Sequence, residues 1–335
     1  MDTERPSPRY VDIDVWEPAD ILDAMVEGQF AAVAAARAAL GPIERAAAAI
    51  EARLKDGGRL IYAGAGTSGR LAVQDGAELM PTFNWPRERL LLFIAGGDQA
   101  MVRAIEGAED EKERATELTR LHQIDAKDAL VAVAASGTTP FTVACVREAR
   151  QRGALTVGIA NNADTPLLIE SDQAIFLRTG AEPIAGSTRM NAGTAQRVTL
   201  NLLSTLLMIR LGRVYRGLMV EVQAANVKLT NRKEEMLVYL TGRTRDDARQ
   251  ALTSANGRIK LAVLLLYGCG AKEARTLLSE VRGNLRSAVA LYTASKSPVA
   301  MQLSNRDRSR EVRRPTVGCS LTGSECLPSV FSTTA

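Results

Sequence analysis

Five apolar runs of strand length, at 59–63, 90–95, 129–134, 155–160 and 173–177, mark the first half of the chain, each nearly continuous in Val, Ile, Leu or Ala. Runs without polar alternation belong to parallel strands covered on both faces, and helix-period segments lie between these. The pattern predicts an α/β fold, a doubly wound parallel sheet flanked by helices. An Ala-rich stretch at 42–55 reads as a helix that stops at Asp56-Gly57-Gly58, and 190–211 as a long helix ending at Gly212. Long helices beside such a sheet often pair with a second subunit. From Thr244 onward the helices shorten. Thr244-Arg-Asp-Asp247 has the form of a capping box with Asp in place of Glu, and Asn256-Gly257 and Gly268-Cys269-Gly270 interrupt the chain. Beyond Ser295 periodicity gives way to Ser, Thr, Arg, Pro and Gly, the composition of a mobile tail. The expected organisation is an N-terminal helical segment at 1–57, an α/β domain at 58–234, a small C-terminal helical subdomain at 235–294 and a disordered tail at 295–335.

Composition narrows the class. A chain of 335 residues with 46% hydrophobic content can bury one large α/β core and a smaller satellite. The formal charge of +4 owes much to Arg306, Arg308, Arg310, Arg313 and Arg314 in the tail, so the folded part is near neutral and carries no nucleic-acid footprint. Cys145, Cys269, Cys319 and Cys326 have neither metal-ligand nor disulfide spacing, and His122 stands alone. The expectation is a reduced, cytoplasmic protein without metal or cofactor. The N-terminus opens with Asp2, Glu4, Pro6 and Pro8 rather than a basic and then apolar stretch, and no apolar run approaches the roughly 20 residues that span a bilayer, so neither export nor a membrane partner is expected.

Candidate chemistry lies where strands end. Residues 59–71 join the first strand to a helix through Gly64, Gly66 and Gly69, with Thr67 and Ser68 between the last two. Glycines let backbone N–H groups approach a ligand, and a helix N-terminus carries about half a positive charge. Together with the two hydroxyls this suits a phosphorylated small molecule; an ordinary turn with Thr67 or Ser68 as N-cap is the alternative. No Lys follows the last glycine, as a P-loop needs, and the dinucleotide fingerprint lacks its acidic partner. The third strand ends in Ser136-Gly137-Thr138-Thr139-Pro140, the same device again. A third cluster, 180–194, supplies Glu182, Ser187, Thr188 and Arg189 just before the long helix. Ligands of open α/β sheets sit beyond the carboxyl ends of the strands, where these loops can converge.

The segments G-A-G-T-S-G-R-L at 64–71, A-S-G-T-T-P at 135–140, G-S-T-R-M at 186–190 and A-G-T-A-Q at 192–196 together resemble the N-acetylmuramic acid 6-phosphate etherases. That family has a sugar isomerase (SIS) core and is related to the glucokinase regulatory protein. The resemblance covers residues 1–294 and extends to Thr3-Glu4-Arg5, to 75–82 and to Ala95-Gly96-Gly97 followed by 105–110. It implies a lyase that removes D-lactate from the C3 ether of a phosphorylated amino sugar and adds water. Once the ring opens to an aldehyde the C2 proton is acidic, and β-elimination needs two proton-transfer groups, each typically worth roughly 10²–10⁴-fold. By resemblance Glu78 is the proton donor and Glu109 the base. Those roles call for Glu78 to be buried near Leu79, Met80 and Phe83 with a raised pKa, and for Glu109, at the end of a helix, to stay ionised.

The resemblance further implies that Gly66, Thr67, Ser68, Gly69, Ser136, Gly137 and Thr139 hold the 6-phosphate and that Glu182 and Ser187 contact the sugar. It gives Arg189 either the lactyl carboxylate or a structural salt bridge. Asn226 and Lys228 match a segment that approaches a neighbouring subunit's site, in keeping with a homodimer. The chain departs from the family at 79–80, where Leu-Met replaces Cys-Pro, at Thr138, where the family has Arg, and at Asn191, where it has Lys. A phosphate site without Arg at 138 would lose about 1–3 kcal/mol if that group pairs with substrate. Among other functions of the fold, a non-catalytic sugar-phosphate sensor needs neither glutamate, and a sugar-phosphate isomerase needs no acid at C3.

Overall fold

The structure, a computed structural model, describes residues 1–222 and 227–296, the first two of the second stretch by backbone alone. Asn226 and residues 297–335 of the expected tail lie outside the described residues. Residues Met1–Ala288 form one compact unit; of the second, Val289–Ala335, the described part is the end of one helix. After short 3₁₀ turns come helices α1 (Pro18–Ala38) and α2 (Leu40–Lys55), then β1 (Leu60–Gly64), α3 (Gly66–Phe83), β2 (Leu90–Ile94), α4 (Lys112–Leu121), β3 (Ala129–Val133), α5 (Pro140–Gln151), β4 (Leu155–Ala160), α6 (Pro166–Glu170), β5 (Gln173–Phe176) and α7 (Asn191–Arg210). A hairpin, β6 (Val214–Tyr215) and β7 (Leu218–Met219), leads to α8 (Val227–Thr241), α9 (Arg245–Ser254), α10 (Ile259–Leu266), α11 (Ala271–Glu280) and α12 (Leu285–Ser295).

The five long strands are parallel and ordered β2-β1-β3-β4-β5, with Gly64 level with Val133. The chain therefore reverses direction across the sheet between β1 and β3, and the crevice at that switch point is where the fold opens to a ligand. The central strands β1, β3 and β4 are buried along their whole length because both faces are covered, while the edge strands β2 and β5 are only partly buried. Leu60, Tyr62, Val131, Val133, Val157 and Ile159 pack under α2, α3 and α7, while the alternate residues Ile61, Ala63, Leu130 and Ala132 pack on the side of α4 and α5 with Phe141, Cys145 and Val146. Among the described residues no helix is long and apolar enough to cross a membrane.

Helix α1 inverts the usual amphipathic rule. Its buried face is Ala24, Gly28, Ala32, Ala35 and Ala36, whereas Leu22, Val26, Phe30 and Val33 are exposed. Small residues let α1 lie close on α7: a Cβ at Gly28 would stand 2.6 Å from Asn191 Oδ1. This helix and the extension of α2 back to Leu40 are additions to the reading at 42–55, and α7 matches the helix expected at 190–211 to within a residue at each end. The hairpin turns through Arg216 and Gly217, both at positive φ (48° and 77°), as a two-residue loop of matching twist requires.

Buried polar groups fix the layers. Asp75 on α3 accepts from Tyr62 Oη (2.9 Å), Asn201 Nδ2 (2.8 Å) and Ser204 Oγ (3.2 Å), joining α3 to β1 and α7. Burial raises its pKa, and the three donors offset part of that rise. At the opposite strand ends, Asp128 is bound by Arg59 through Nε (3.0 Å), Nη2 (2.6 Å) and the backbone N–H (2.9 Å). In the helical region Thr244 and Asp247 form the capping box read from the sequence. There Lys233 Nζ donates to Gly257 O (2.9 Å) and Lys260 Nζ to Gly283 O (2.6 Å), so each buried lysine closes a glycine turn.

Candidate active site

Helix α3 begins directly after β1, and that sharp entry rests on two glycines. A Cβ at Gly69 would stand 2.7 Å from Gly64 O, and one at Gly64 would stand 2.9 Å from Gly69 Cα, so both serve close strand-to-helix packing. Gly66 adopts φ +51°, and no side chain caps the helix behind it. The first-turn N–H groups are thus open to a ligand. Helix α5 repeats the arrangement one strand away: Pro140 occupies its first turn and the N-cap residue Thr139 makes no side-chain cap bond. Ser136 Oγ lies 3.3 Å from Thr139 Oγ1 and accepts from Thr138 N (3.2 Å).

Both N-termini face one polar cleft of about 380 Å³ at the switch point, lined by Gly66, Thr67, Ser68, Ser136, Thr138 and Thr139, by Glu109 and Asp110, and by Glu4, Gly186 and Thr188. A larger space of about 550 Å³ lies among α8, α10 and α11. Its two lysines are already bonded to glycine carbonyls, and it has no convergent helix N-termini. Hydroxyls, open N–H groups and carboxylates make the switch-point cleft the candidate site, suited to a phosphorylated, hydroxyl-bearing ligand.

The sequence-derived candidates divide on placement. Gly66, Thr67, Ser68, Ser136, Thr139 and Glu109 line the cleft together. Glu109 does so from a 3₁₀ turn, Ala108–Asp110, entered through Gly107 at φ +71°, and not from the end of a regular helix. Gly69 and Gly137 stand behind the wall as packing residues; a Cβ at Gly137, whose φ is +72°, would meet Thr165 Oγ1 at 2.2 Å. Ser187 is half-buried between Gly186 and Thr188, which face the cleft in its stead.

Two expectations are corrected. Glu182, read as a sugar contact, is buried at 1% exposure and accepts the backbone N–H groups of Asn191 and Ala192, both at 2.8 Å. It caps α7, and burial raises its pKa against the pull of those two bonds. Glu78 is exposed on α3 rather than buried beside Leu79 and Phe83, and it does not line the cleft. Helix geometry puts it about 16 Å along the axis from Thr67 and within about 20° of the same face. Arg189 is exposed on its loop, outside the cleft lining.

The departures at Thr138 and Asn191 are not equivalent. Thr138 lines the cleft. Asn191 is buried against Gly28 and accepts from Gln29 Nε2 at 3.1 Å, on the side of α1. Thr194 bonds the same Gln29, and Gln196 Nε2 donates to Asn161 Oδ1 (2.9 Å). Much of the 191–196 motif is therefore packing of α7 on its neighbours. Sequence reasoning assigned no role to Glu4 or Asp110 and counted Thr188 only as a hydroxyl of the 180–194 cluster; for Glu4 the signal was its place in the Thr3-Glu4-Arg5 motif.

Residues 43–150 match the family described as glucokinase regulatory protein N-terminal SIS domain, and residues 110–206 match the SIS domain. An N-acetylmuramic acid 6-phosphate etherase of Deinococcus radiodurans is 46% identical over 285 residues, 85% of this chain and 93% of that protein. The chain belongs to the N-acetylmuramic acid 6-phosphate etherase family. Etherases of the same name from Streptomyces coelicolor and Mycolicibacterium smegmatis are 46% and 40% identical over 292 and 290 residues, 87% and 86% of this chain and 94% and 97% of those proteins. Among solved structures, a phosphoheptose isomerase from Francisella tularensis aligns at 20% identity and a TM-score of 0.46 over 58% of this chain and 100% of that one. The sheet, the two glycine-and-hydroxyl loops and the cleft between them are the SIS part of this etherase-family chain.

Proposed function

We propose that the protein is an N-acetylmuramic acid 6-phosphate etherase, acting in amino-sugar recycling. The observation that carries this is the convergence on one cleft of two helix N-termini, the hydroxyls of Thr67, Ser68, Ser136 and Thr139, and Glu109, in a chain so similar to proteins of that name. The 6-phosphate binds at the N-termini of α3 and α5, which orients the sugar for chemistry at C2 and C3. Glu109, in the cleft, takes the C2 proton of the ring-opened aldehyde. The electron pair forms the C2–C3 double bond as the C3–O bond breaks, and Glu78 protonates the departing lactate oxygen. Water then adds at C3 and a proton returns to C2, giving N-acetylglucosamine 6-phosphate and D-lactate. Glu78 stands about 16 Å along α3 from Thr67, outside the cleft lining, so its role as proton donor rests on the family resemblance and not on the cleft's geometry.

The working form is a cytoplasmic homodimer in this reading. The apolar strip of Leu22 (64% exposed), Val26, Phe30 (72%) and Val33 on α1 supports it, since an amphipathic helix rarely leaves its large aliphatics in water without a partner. The domain scheme is retained: helical segment 1–57, SIS domain 58–234, helical subdomain 235–294 and tail 295–335.

The test is incubation with N-acetylmuramic acid 6-phosphate in heavy-oxygen water, following D-lactate release and label at C3 of the product. Absence of lactate, or lactate without sugar label, would sink the elimination and hydration. Glu78→Gln is expected to block lactate loss while C2 proton exchange continues, and Glu109→Gln to abolish both; the reverse pattern overturns the assignment of roles.

A further inference from the structure

The N-terminal segment is stitched into the floor of the cleft. Thr3 is fully buried: its N–H donates to Asn162 Oδ1 (3.3 Å), and Asn162 Nδ2 donates to Thr3 Oγ1 (2.9 Å). The same Nδ2 donates to Ala135 O (2.9 Å), immediately before Ser136, and Gly186 N donates to Thr3 O (3.0 Å). Thr3 thereby joins the end of β3 to the 180–190 loop, and Glu4 follows it at the close of the 3₁₀ turn Asp2–Glu4, facing the cleft. Gly186 leaves it room, since a Cβ there would stand 3.0 Å from Glu4 Oε2. The carboxylate receives one long bond from Thr3 Oγ1 (3.4 Å), which leaves most of its acceptor capacity open.

Glu4 is therefore an anchored acceptor in a cleft whose opposite wall is built for an anion. Its charge opposes a free phosphate ion at the helix N-termini, and no lysine or arginine is among the described residues lining the cleft to neutralise it. A ligand that joins its phosphate to hydroxyl or amide N–H donors meets both walls, because charge-assisted hydrogen bonds to Glu4 offset that repulsion. We propose that Glu4 is a specificity-determining residue: it accepts hydrogen bonds from the hydroxyl or acetamido N–H donors of the phosphorylated amino sugar and discriminates against inorganic phosphate. This rests on the sugar-phosphate reading of the cleft given above.

Calorimetric titration of the full chain with N-acetylglucosamine 6-phosphate and with inorganic phosphate, for the unaltered protein and for Glu4→Gln and Glu4→Ala, tests it. Both substitutions are expected to weaken the sugar phosphate about tenfold, the size of one charge-assisted bond, while inorganic phosphate binds as well or better. KM for the etherase substrate should rise by a similar factor with kcat unchanged. Because Glu4 is exposed and the anchoring bonds are Thr3's, the thermal midpoint should not move. A parallel loss for both ligands, or an unchanged ratio of affinities, overturns the role of Glu4 while leaving the cleft a sugar-phosphate site. Failure of the unaltered protein to bind the sugar phosphate at all overturns the reading of the cleft and Glu4 with it.

Discussion

Gly137 offers a measurable link between the cleft loop at 136–139 and the fold. It lies between Ser136 and Thr138 at φ +72°, and a Cβ added there would stand 2.2 Å from Thr165 Oγ1, 2.6 Å from Thr165 Cβ and 2.9 Å from Thr165 Cγ2. Two separable costs arise in Gly137→Ala. A left-handed conformation costs a residue with a Cβ about 1–2 kcal/mol, and overpacking a tight interior adds about 1–3 kcal/mol, so the total expected is about 2–5 kcal/mol. The three clashing atoms all belong to the side chain of Thr165. Thr165→Gly removes them, and in the double variant the overpacking should vanish while the conformational cost remains. Equilibrium denaturation of the four proteins should then give a favourable coupling of about 1–3 kcal/mol between the two sites. Affinity for N-acetylglucosamine 6-phosphate should fall in Gly137→Ala and recover in part in the double variant, since Ser136 and Thr139 sit on the displaced loop. Strictly additive effects, or a Gly137→Ala protein as stable as the original, would refute the packing account.

Other expectations follow from buried charge and exposed apolar surface. Burial pushes the pKa of Asp128 up, but its bonds from Arg59 hold it below the ordinary 3.8; a lowered folded value means that its stabilisation is present above that pH and lost as pH falls through the folded value. Asp128→Asn should therefore flatten the acid limb of a stability profile below about pH 4, and an unchanged limb counts against the pair. Glu182 has the opposite sign: its folded pKa is raised by burial, so its contribution is greatest below 4.5 and declines as pH rises through the folded value. Glu182→Gln should remove that decline and keep one acceptor for α7, whereas Glu182→Ala leaves two buried N–H groups unpaired at about 1–3 kcal/mol each; equal stability of the two variants would argue against capping. Phe30→Glu, at a 72% exposed position, should yield a folded monomer by light scattering where the original is a dimer. A monomeric original, or a variant that still dimerises, removes the proposed interface.

Strand positions were legible because each face of this sheet is covered, which forces the near-continuous apolar runs that make a parallel strand visible in one dimension. Turn chemistry was equally legible: Thr244 and Asp247 satisfy each other's backbone within four residues, and the Gly64, Gly66 and Gly69 entry to α3 is a local requirement. Helix α1 was legible only as part of a helical segment at 1–57 and not in its bounds or buried face, since its core-facing residues are alanines and glycine and its large apolar side chains point to solvent. A motif residue likewise does not announce its purpose. Gly69, Gly137 and Asn191 sit in recognisable strings, yet each is there for a packing contact.

The linear order of residues determined the doubly wound sheet, the loops at the ends of β1 and β3 and the family, because these depend on short-range periodicity and on what a tight turn permits. Only the tertiary structure decided which polar groups meet. Glu182 turns from sugar to the backbone of α7, Glu78 stands outside the cleft in a single chain, and Thr3 bonds Asn162 from 159 positions away, which carries Glu4 to the cleft wall. The reason is physical: whether a buried carboxylate serves a ligand or a helix end depends on which donors surround it, and those donors come from parts of the chain that only folding brings together.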